Sequence, residues 1–240
     1  MGFLHSFTSG STVDGPGVRV VAWTTGCMWR CLYCHNPDTW TLTNGVPVTL
    51  ARATEVLGNY RHGLKVMSGG FTLSGGEPLM QHRFAVRLLT GARAIGIHTA
   101  LDTNGFYGDR LTDADLEAID LVLLDIKGWD PERHRRLTGM DVAPTLDFAR
   151  RLAARGKPMW VRFVLVPGLT DHPDDVQHIA DFTGELGNVK RVDVLPFHQM
   201  GRHKWTQLGL EYQLEKVEPP SQAQIEAVRE RFLAHRLEVC

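Results

Sequence analysis

The chain has 240 residues, of which 43% are hydrophobic and 22% are charged, so it holds enough apolar material for one sizeable core. Its formal net charge of −1 excludes an electrostatic case for nucleic acid as the main partner, and the local basic cluster at residues 133–136 is expected to be a solvated helix face. No apolar run approaches the length of a membrane span and the first residues do not resemble a secretory signal, so we expect a cytoplasmic protein that is not membrane-bound.

Apolar strands alternate with longer amphipathic segments along the whole chain. Such alternation with short links indicates parallel strands joined by right-handed crossovers. Six repeats are too few for a closed eight-stranded barrel, so the sequence predicts an α/β fold, an open six-stranded parallel (β/α)6 partial TIM-like barrel. No linker divides the chain, so we expect one domain over residues 1–240. The predicted strands are 18–24, 71–74, 97–102, 121–126, 159–166 and 190–195, and the predicted helices are 50–62, 82–94, 113–119, 145–155, 173–186 and 222–234.

Three cysteines, Cys27, Cys31 and Cys34, lie close together in a CxxxCxxC pattern. Closed zinc sites and ordinary iron–sulfur carriers have four protein ligands, so an iron–sulfur cluster held by three cysteines would keep one iron open to a small molecule. Tyr33, the aromatic residue before the third cysteine, completes the CxxxCxΦC pattern typical of radical S-adenosylmethionine (SAM) enzymes. In those enzymes the methionine part of SAM fills the open iron position.

Two other interpretations of these cysteines are less well supported. A disulfide is disfavoured because three of the four cysteines lie within eight positions and nothing indicates an oxidising compartment. Zinc would need a fourth ligand, for which His35 is the candidate, but the adjacent Cys34 and His35 would converge poorly on one tetrahedral ion. Cys240 belongs to no spacing pattern and is expected to be a free, frayed thiol.

Polar clusters follow the carboxyl ends of all six predicted strands, which is where a parallel α/β fold places its chemistry. Each cluster has an ordinary alternative explanation. Asn104-Gly105 is a common turn pair, Gly75-Gly76 would also suit a tight bend, and a single histidine such as His198 is more often structural. Their common location favours one functional site. The clusters are the cysteine loop, residues 74–78, residues 102–105, residues 125–127, Arg162 and residues 196–198.

Several stretches together resemble the radical SAM activases of glycyl-radical enzymes, across essentially the whole chain. The most specific are TVDGPG at residues 12–17 and the CxxxCxYCHN loop that ends at Asn36. HTALDTNGF at residues 98–106 and GRHKW at residues 201–205 favour the branch that acts on pyruvate formate-lyase. The resemblance implies that a reduced 4Fe-4S cluster cleaves SAM, and that the resulting 5′-deoxyadenosyl radical removes a Cα hydrogen from a glycine of the partner.

The resemblance also implies a role for individual residues. Cys27, Cys31 and Cys34 would ligate the cluster, and Lys127 is placed with them among the catalytic residues. Asp102 and Asp125, with Thr103 and the carbonyl of Leu123, resemble a site for a monovalent cation (Na+ or K+) beside the carboxylate of SAM. Asp14 would hold the backbone of the substrate peptide. The implied SAM contacts are Tyr33, Asn36, Ser74, Gly75, Gly76, Glu77, Asp102, Asp125, Lys127, Arg162 and His198.

Three alternative functions stay open. Many activases of other glycyl-radical enzymes insert a ferredoxin-like module with extra cysteines, and the lack of cysteines between Cys34 and Cys240 disfavours that branch. A radical SAM enzyme acting on a small molecule or RNA is disfavoured because the chain has no basic face and no added domain. An electron-transfer or structural metal protein would leave SAM intact. The expected partners are pyruvate formate-lyase and a flavodoxin or ferredoxin as electron donor, and the chain is expected to be a monomer.

Overall fold

A computed structural model describes all 240 residues. They form two compact units, residues 1–28, 39–103 and 107–123 in the first and residues 29–38, 104–106 and 124–240 in the second. No helix combines the length and the apolar character that a membrane crossing requires. The strands are β1 (Gly2–Ser11), β2 (Arg19–Thr24), β3 (Val46–Val48), β4 (Gly70–Gly75), β5 (His98–Thr103), β6 (Leu121–Asp125), β7 (Met159–Leu165) and β8 (Val189–Pro196), and the α-helices are α1 (Leu50–Val66), α2 (His82–Ala94), α3 (Asp113–Leu116), α4 (Pro131–Thr138), α5 (Ala143–Ala154), α6 (Pro173–Glu185), α7 (Arg202–Gln207) and α8 (Gln222–Leu233).

The strands follow the order β3-β1-β2-β4-β5-β6-β7-β8 in a sheet that is not closed into a barrel. Strand β2 pairs in parallel with β4, β4 with β5, and β7 with β8. The prediction of an α/β fold with an open, mostly parallel sheet is therefore confirmed, and the six predicted strands correspond to β2 and β4 to β8. Strands β1 and β3 were not predicted, and both pair in antiparallel fashion, β1 with β2 and β3 with β1.

In the first unit, α1 and α2 pack against each other and against the parallel strands. Leu57 of α1 and Leu88 and Leu89 of α2 are fully buried, which removes the apolar side of each helix from water. Helix α1 begins where the Thr49 hydroxyl accepts a hydrogen bond from the Arg52 N–H (3.2 Å). The packing places the carboxyl ends of β2, β4 and β5 at one edge of the unit.

In the second unit, α8 packs against α6 and β8, as its predicted apolar side requires. Phe232 of α8 is fully buried, and its ring centroid lies 6.3 Å from that of Phe163 in β7. The last residues run beside β8, because the Val194 N–H donates to the Cys240 carbonyl (2.9 Å) and the Cys240 N–H donates to the Val192 carbonyl (3.0 Å). Cys240 is therefore held by its backbone, while its side chain is exposed.

The basic cluster lies in α4, a helix absent from the predicted set, and only half of the cluster is the expected solvated face. Arg135 and Arg136 are exposed. His134 is buried instead, and Arg133 forms a two-point ion pair with the buried Asp175, with Nη2 at 2.5 Å from Oδ1 and Nε at 3.0 Å from Oδ2. The expectation is therefore wrong for His134 and Arg133, because these two side chains fix α4 to the rest of the second unit.

Candidate functional site

Backbone hydrogen bonds fix the segment that carries Cys27 after the carboxyl end of β2, in the first unit. The Gly26 N–H donates to the Thr39 carbonyl (2.7 Å), and the Cys27 N–H donates to the Trp40 carbonyl (3.1 Å). From another side, the Glu77 N–H donates to the Gly26 carbonyl (2.7 Å). The first cysteine therefore follows β2 on a backbone path that is held in place by two other segments of the unit.

The Gly75-Gly76 turn lies against this same segment. Gly75 has a φ of +129°, and a Cβ added to it would overlap the backbone of Thr24. A Cβ on Gly76 would lie 2.5 Å from the Gly26 oxygen and 3.1 Å from the Cβ of Cys27. Both positions need glycine because protein backbone fills the space beside them. The close approach of SAM to this turn, which the resemblance implied, stays a prediction.

Polar side chains at the ends of β4 and β5 are joined in pairs next to the turn. Glu77, fully buried, accepts hydrogen bonds from the Leu79 N–H (2.8 Å) and the Thr103 hydroxyl (2.7 Å). The Ser74 hydroxyl donates to Oδ2 of Asp102 (2.6 Å), and Asp102 is buried as well. The structure thus brings four predicted residues of the first unit together, and the carboxylate of Glu77 links Leu79, just after the turn, to the end of β5.

Asp14 lies in the loop before β2 and is held from two directions. The Ser11 hydroxyl donates to its carboxylate (2.5 Å), and the Thr72 hydroxyl donates to its carbonyl (2.6 Å). The guanidinium of Arg19, also buried, donates to the Thr72 hydroxyl (2.9 Å) and to the Phe71 carbonyl (2.6 Å). Burial lowers the pKa of Arg19 to about 10. The loop is therefore a braced part of the unit, and Asp14 has a structural function in addition to its predicted contact with a substrate peptide.

In the second unit, Cys31 and Cys34 lie on one turn. The Cys34 N–H donates to the Cys31 carbonyl (3.0 Å), and the N–H groups of Arg30 and Leu32 donate to two carbonyls at the end of α4 (2.7 and 3.0 Å). Burial raises the pKa of the Cys31 thiol to about 12, although the nearby Lys127 acts in the opposite direction. A thiolate in this environment needs a cation bound to it, which iron ligation supplies.

The donor set suits an iron–sulfur cluster better than a single metal ion. Three cysteines belong to the loop, and thiolates are the ligands that such clusters prefer. No three His, Cys, Asp or Glu side chains are grouped as a mononuclear metal ion requires.

Lys127, in the loop after β6, is partly buried and ion-paired. Its Nζ lies 3.0 Å from Oδ2 of Asp125 and 5.5 Å from the centroid of the Tyr33 ring. Burial opposes the charge of Lys127, but Asp125 and Tyr33 outweigh it, and the pKa of Lys127 is raised well above its usual value. Tyr33 packs in an apolar cluster that includes Phe197. Asp125 therefore has a cationic partner that the interpretation as a monovalent-cation site did not take into account.

The other predicted residues of the second unit have separate contacts. His198 is exposed, and its ring lies 4.2 Å from that of His35, centroid to centroid. The His35 Nε2–H donates to the His198 carbonyl (2.9 Å). Oδ1 of Asn36 accepts a hydrogen bond from Nζ of Lys204 (2.8 Å). The last two predicted residues lie in strands, Arg162 in β7 of the second unit and Leu123 in the part of β6 that belongs to the first unit.

Two residues that contact the cysteine loop were not among the predicted site residues. Trp205 donates its Nε1–H to the Cys34 carbonyl (2.8 Å), and Nζ of Lys204 lies 2.9 Å from Oδ2 of Asp38 as well as close to Asn36. Both belong to the GRHKW stretch that carries part of the resemblance. That motif was the available signal, but it does not indicate which segment these side chains bind.

Comparison with known proteins agrees with the resemblance found in the sequence. A family model described as the radical SAM superfamily matches residues 21–183. The chain is 42% identical to the pyruvate formate-lyase 1-activating enzyme of Escherichia coli (strain K12) over 231 residues, which covers 95% of this chain and 94% of that protein. It is 44% identical to the pyruvate formate-lyase-activating enzyme of Staphylococcus epidermidis over 238 residues, which covers 96% of this chain and 94% of that protein.

A solved structure shows the same fold at low identity. It is a radical SAM methyltransferase from Sphaerobacter thermophilus, with a TM-score of 0.66, 14% sequence identity, and coverage of 100% of this chain and 77% of that one. The cofactors of the superfamily are a 4Fe-4S cluster and SAM, which suit the cysteine loop. Given the matched residues and the identity over nearly its whole length, this chain belongs to the radical SAM superfamily and, within it, to the family of pyruvate formate-lyase-activating enzymes.

Proposed function

We propose that this chain activates pyruvate formate-lyase under anaerobic conditions by generating a glycyl radical on it. The observation that carries the proposal is the 42% and 44% identity, over nearly the full length, to enzymes named for that activation. When bound, the 4Fe-4S cluster and SAM supply the reductive cleavage of SAM and the removal of a hydrogen atom from a glycine Cα. A flavodoxin or ferredoxin is the proposed electron donor, and residues 1–240 are proposed to act as one domain.

Different residues of this chain would bind the cluster and SAM. Cys27, Cys31 and Cys34 would hold the cluster and leave one iron to the amino and carboxylate groups of SAM. The Gly75-Gly76 turn, held by Glu77, would present backbone to the SAM amino group. The other residues proposed to contact SAM are Tyr33, Asn36, Ser74, Asp102, Asp125, Lys127, Arg162 and His198.

Anaerobic reconstitution with iron and sulfide tests the proposed function. The loaded protein is mixed with SAM, a chemical reductant and purified pyruvate formate-lyase, and the glycyl radical is measured by spin-resonance spectroscopy. Methionine and 5′-deoxyadenosine should appear together with the radical. Cleavage of SAM without a radical on pyruvate formate-lyase would reject this partner, whereas intact SAM would reject the activity altogether.

The proposed cation site gives a prediction about SAM affinity. Asp102, Thr103, the Leu123 carbonyl and Asp125 would hold Na+ or K+, because two carboxylates beside the SAM carboxylate would otherwise repel it. Replacing Asp102 by alanine should weaken SAM binding about tenfold, roughly 1.4 kcal/mol, while the cluster still assembles. Exchanging sodium for potassium should change the Kd of the wild type, measured by equilibrium dialysis, more than that of the variant. Ser74→Ala removes a proposed SAM contact and the hydroxyl that donates to Asp102 but keeps the carboxylate, so the difference between sodium and potassium should persist in this variant. Equal SAM affinity in the wild type and the Asp102 variant would contradict the site.

Asp14 gives a prediction about the partner. Glycine offers no side chain to grip, so the activase should hold an extended peptide through backbone N–H groups, and a carboxylate accepts such hydrogen bonds well. One hydrogen bond to a charged group is worth about 1.5–3 kcal/mol, so Asp14→Ala should slow glycyl-radical formation roughly 10- to 100-fold. Uncoupled SAM cleavage and cluster content should change much less.

Because the buried Asp14 also accepts a hydrogen bond from Ser11, a loosened loop must be told apart from a lost peptide contact. Ser11→Ala is the matched control, since it loosens the loop but keeps the carboxylate. If the two variants lose radical formation and thermal stability to the same degree, Asp14 is a structural residue and the peptide is held elsewhere.

A further inference from the structure

A short segment of the second unit holds the residues that follow the third cysteine. This segment, residues 201–205, is here called the clasp. Its Trp205 donates the indole Nε1–H to the carbonyl of Cys34 (2.8 Å). Its Lys204 donates to Oδ1 of Asn36 (2.8 Å) and pairs with Asp38, with Nζ at 2.9 Å from Oδ2. Two side chains of the clasp thus make three polar contacts with residues 34–38.

Gly201, the first residue of the clasp, also lies very close to the cysteine loop. A Cβ on Gly201 would lie 2.6 Å from the Cα of His35 and 2.8 Å from its carbonyl oxygen. The φ of Gly201 is −82°, a value that any L-amino acid adopts without strain. Glycine is therefore required here by the contact alone, and the two backbones touch between Cys34 and Asn36.

The clasp is itself anchored to the rest of the second unit. Gln199, just before it, donates its side-chain amide to three carbonyls between residues 214 and 217 (2.8–3.2 Å). The Trp205 ring is buried and lies 5.4 Å from the Tyr212 ring, centroid to centroid. Lys204 and Asp38 are largely shielded from water, with side-chain exposures of 23% and 26%. Shielding strengthens such a pair and makes it a better constraint than a surface ion pair.

We propose that the clasp positions the cysteine loop for SAM, with Lys204 and Trp205 as positioning residues. Residues 34–36 belong to no regular element, so side chains must satisfy their backbone and fix their direction. Trp205 satisfies the carbonyl of the cysteine that ends the cluster motif, and Lys204 fixes the direction of the Asn36 side chain. Groups that orient metal ligands from outside commonly change metal affinity or activity 10- to 100-fold when removed. The inference rests on the proposed function, because it assigns a role in SAM binding.

Three variants test the clasp, each changing one of its residues that contact residues 34–38. Trp205→Phe keeps an aromatic ring but removes the N–H, Lys204→Met keeps the aliphatic stem but removes the charge, and Gly201→Ala inserts a methyl group against His35. In metal-free protein, we expect the amides of residues 34–36 and 38 to exchange with deuterium about tenfold faster than in the wild type. After reconstitution, we expect the Kd for SAM to rise about tenfold and the spin-resonance spectrum of the reduced cluster to respond less to SAM.

Arg202→Gln is the matched control, because Arg202 lies in the same helix but pairs with Glu215. It should behave as the wild type in both measurements. Wild-type exchange and SAM affinity in all three clasp variants would overturn the proposal, as would equal changes in the Arg202 variant. The exchange measurement needs neither cofactor nor partner. A wild type that fails to activate pyruvate formate-lyase would therefore reject the proposed function without deciding the clasp.

Discussion

Replacing Cys31 by alanine is expected to reduce the brown absorbance of the reconstituted cluster and the cleavage of SAM to background. The same result is expected for Cys27→Ala and Cys34→Ala, because three ligands leave no spare donor to compensate for a lost thiolate. Iron and sulfide analysis and absorbance near the charge-transfer bands measure the loss of the cluster, and chromatography of 5′-deoxyadenosine measures the loss of SAM cleavage.

Cys240→Ala is the matched control for the cysteine variants. The Cys240 side chain is exposed, and its contacts with Val192 and Val194 use backbone atoms that alanine keeps. Cluster content and SAM cleavage should therefore stay near the wild-type values. Loss of the cluster from this variant would show that a fourth cysteine takes part and that the three-ligand interpretation is wrong.

Gly75→Ala is expected to cause a large loss of stability. At its φ of +129°, an L-residue is strained by about 1–2 kcal/mol, and forcing the methyl group against the backbone of Thr24 adds about 1–3 kcal/mol. The free energy of unfolding of metal-free protein, measured in urea, should fall by about 2–5 kcal/mol from the sum of these two effects. Because the turn lies against Gly26, the variant should also take up less iron than the wild type.

Gly139→Ala separates strain from steric overlap. Gly139 ends α4 with a φ of +80°, but no atom lies within 4 Å of an added Cβ. Only the conformational cost of about 1–2 kcal/mol should appear, with full cluster content. Equal losses of stability in the two variants would show that the backbone around Gly75 yields to the methyl group.

Two of the strands that the sequence predicted, residues 121–125 and 159–165, are nearly continuous apolar runs. Such runs are typical of the strands of a parallel sheet, which are more deeply buried than those of an antiparallel sheet. Strand β1 was missed because residues 5–11 are mostly polar and only partly buried, so their alternation is weak. Helix α4 was expected only as the helix face of residues 133–136, without bounds. Asp130, Pro131 and Gly139 are ordinary start and stop signals, but the helix buries only His134, Leu137 and Thr138.

For the site as well, the sequence predicted only the contacts that local spacing and strand position indicate. Strand-end location correctly grouped Ser74, Glu77, Asp102 and Thr103, because parallel strands end at one edge of the sheet. The contact between Trp205 and Cys34 joins residues 171 positions apart, and no periodicity links them. The need for glycine at position 76 also depends on the neighbouring segment, whose approach a single sequence does not reveal.

The two outermost strands limit unwanted association between copies of the protein. Strand β3 has only three residues, and one of them is Pro47, which has no N–H to offer to another strand. At β8, residues 238–240 already pair with Val192 and Val194. Long edge strands that are exposed to solvent commonly template aggregation. Short, proline-containing or covered edge strands prevent it. The metal-free protein should therefore tolerate the high concentrations and long incubations of anaerobic cluster assembly without forming intermolecular β-sheet.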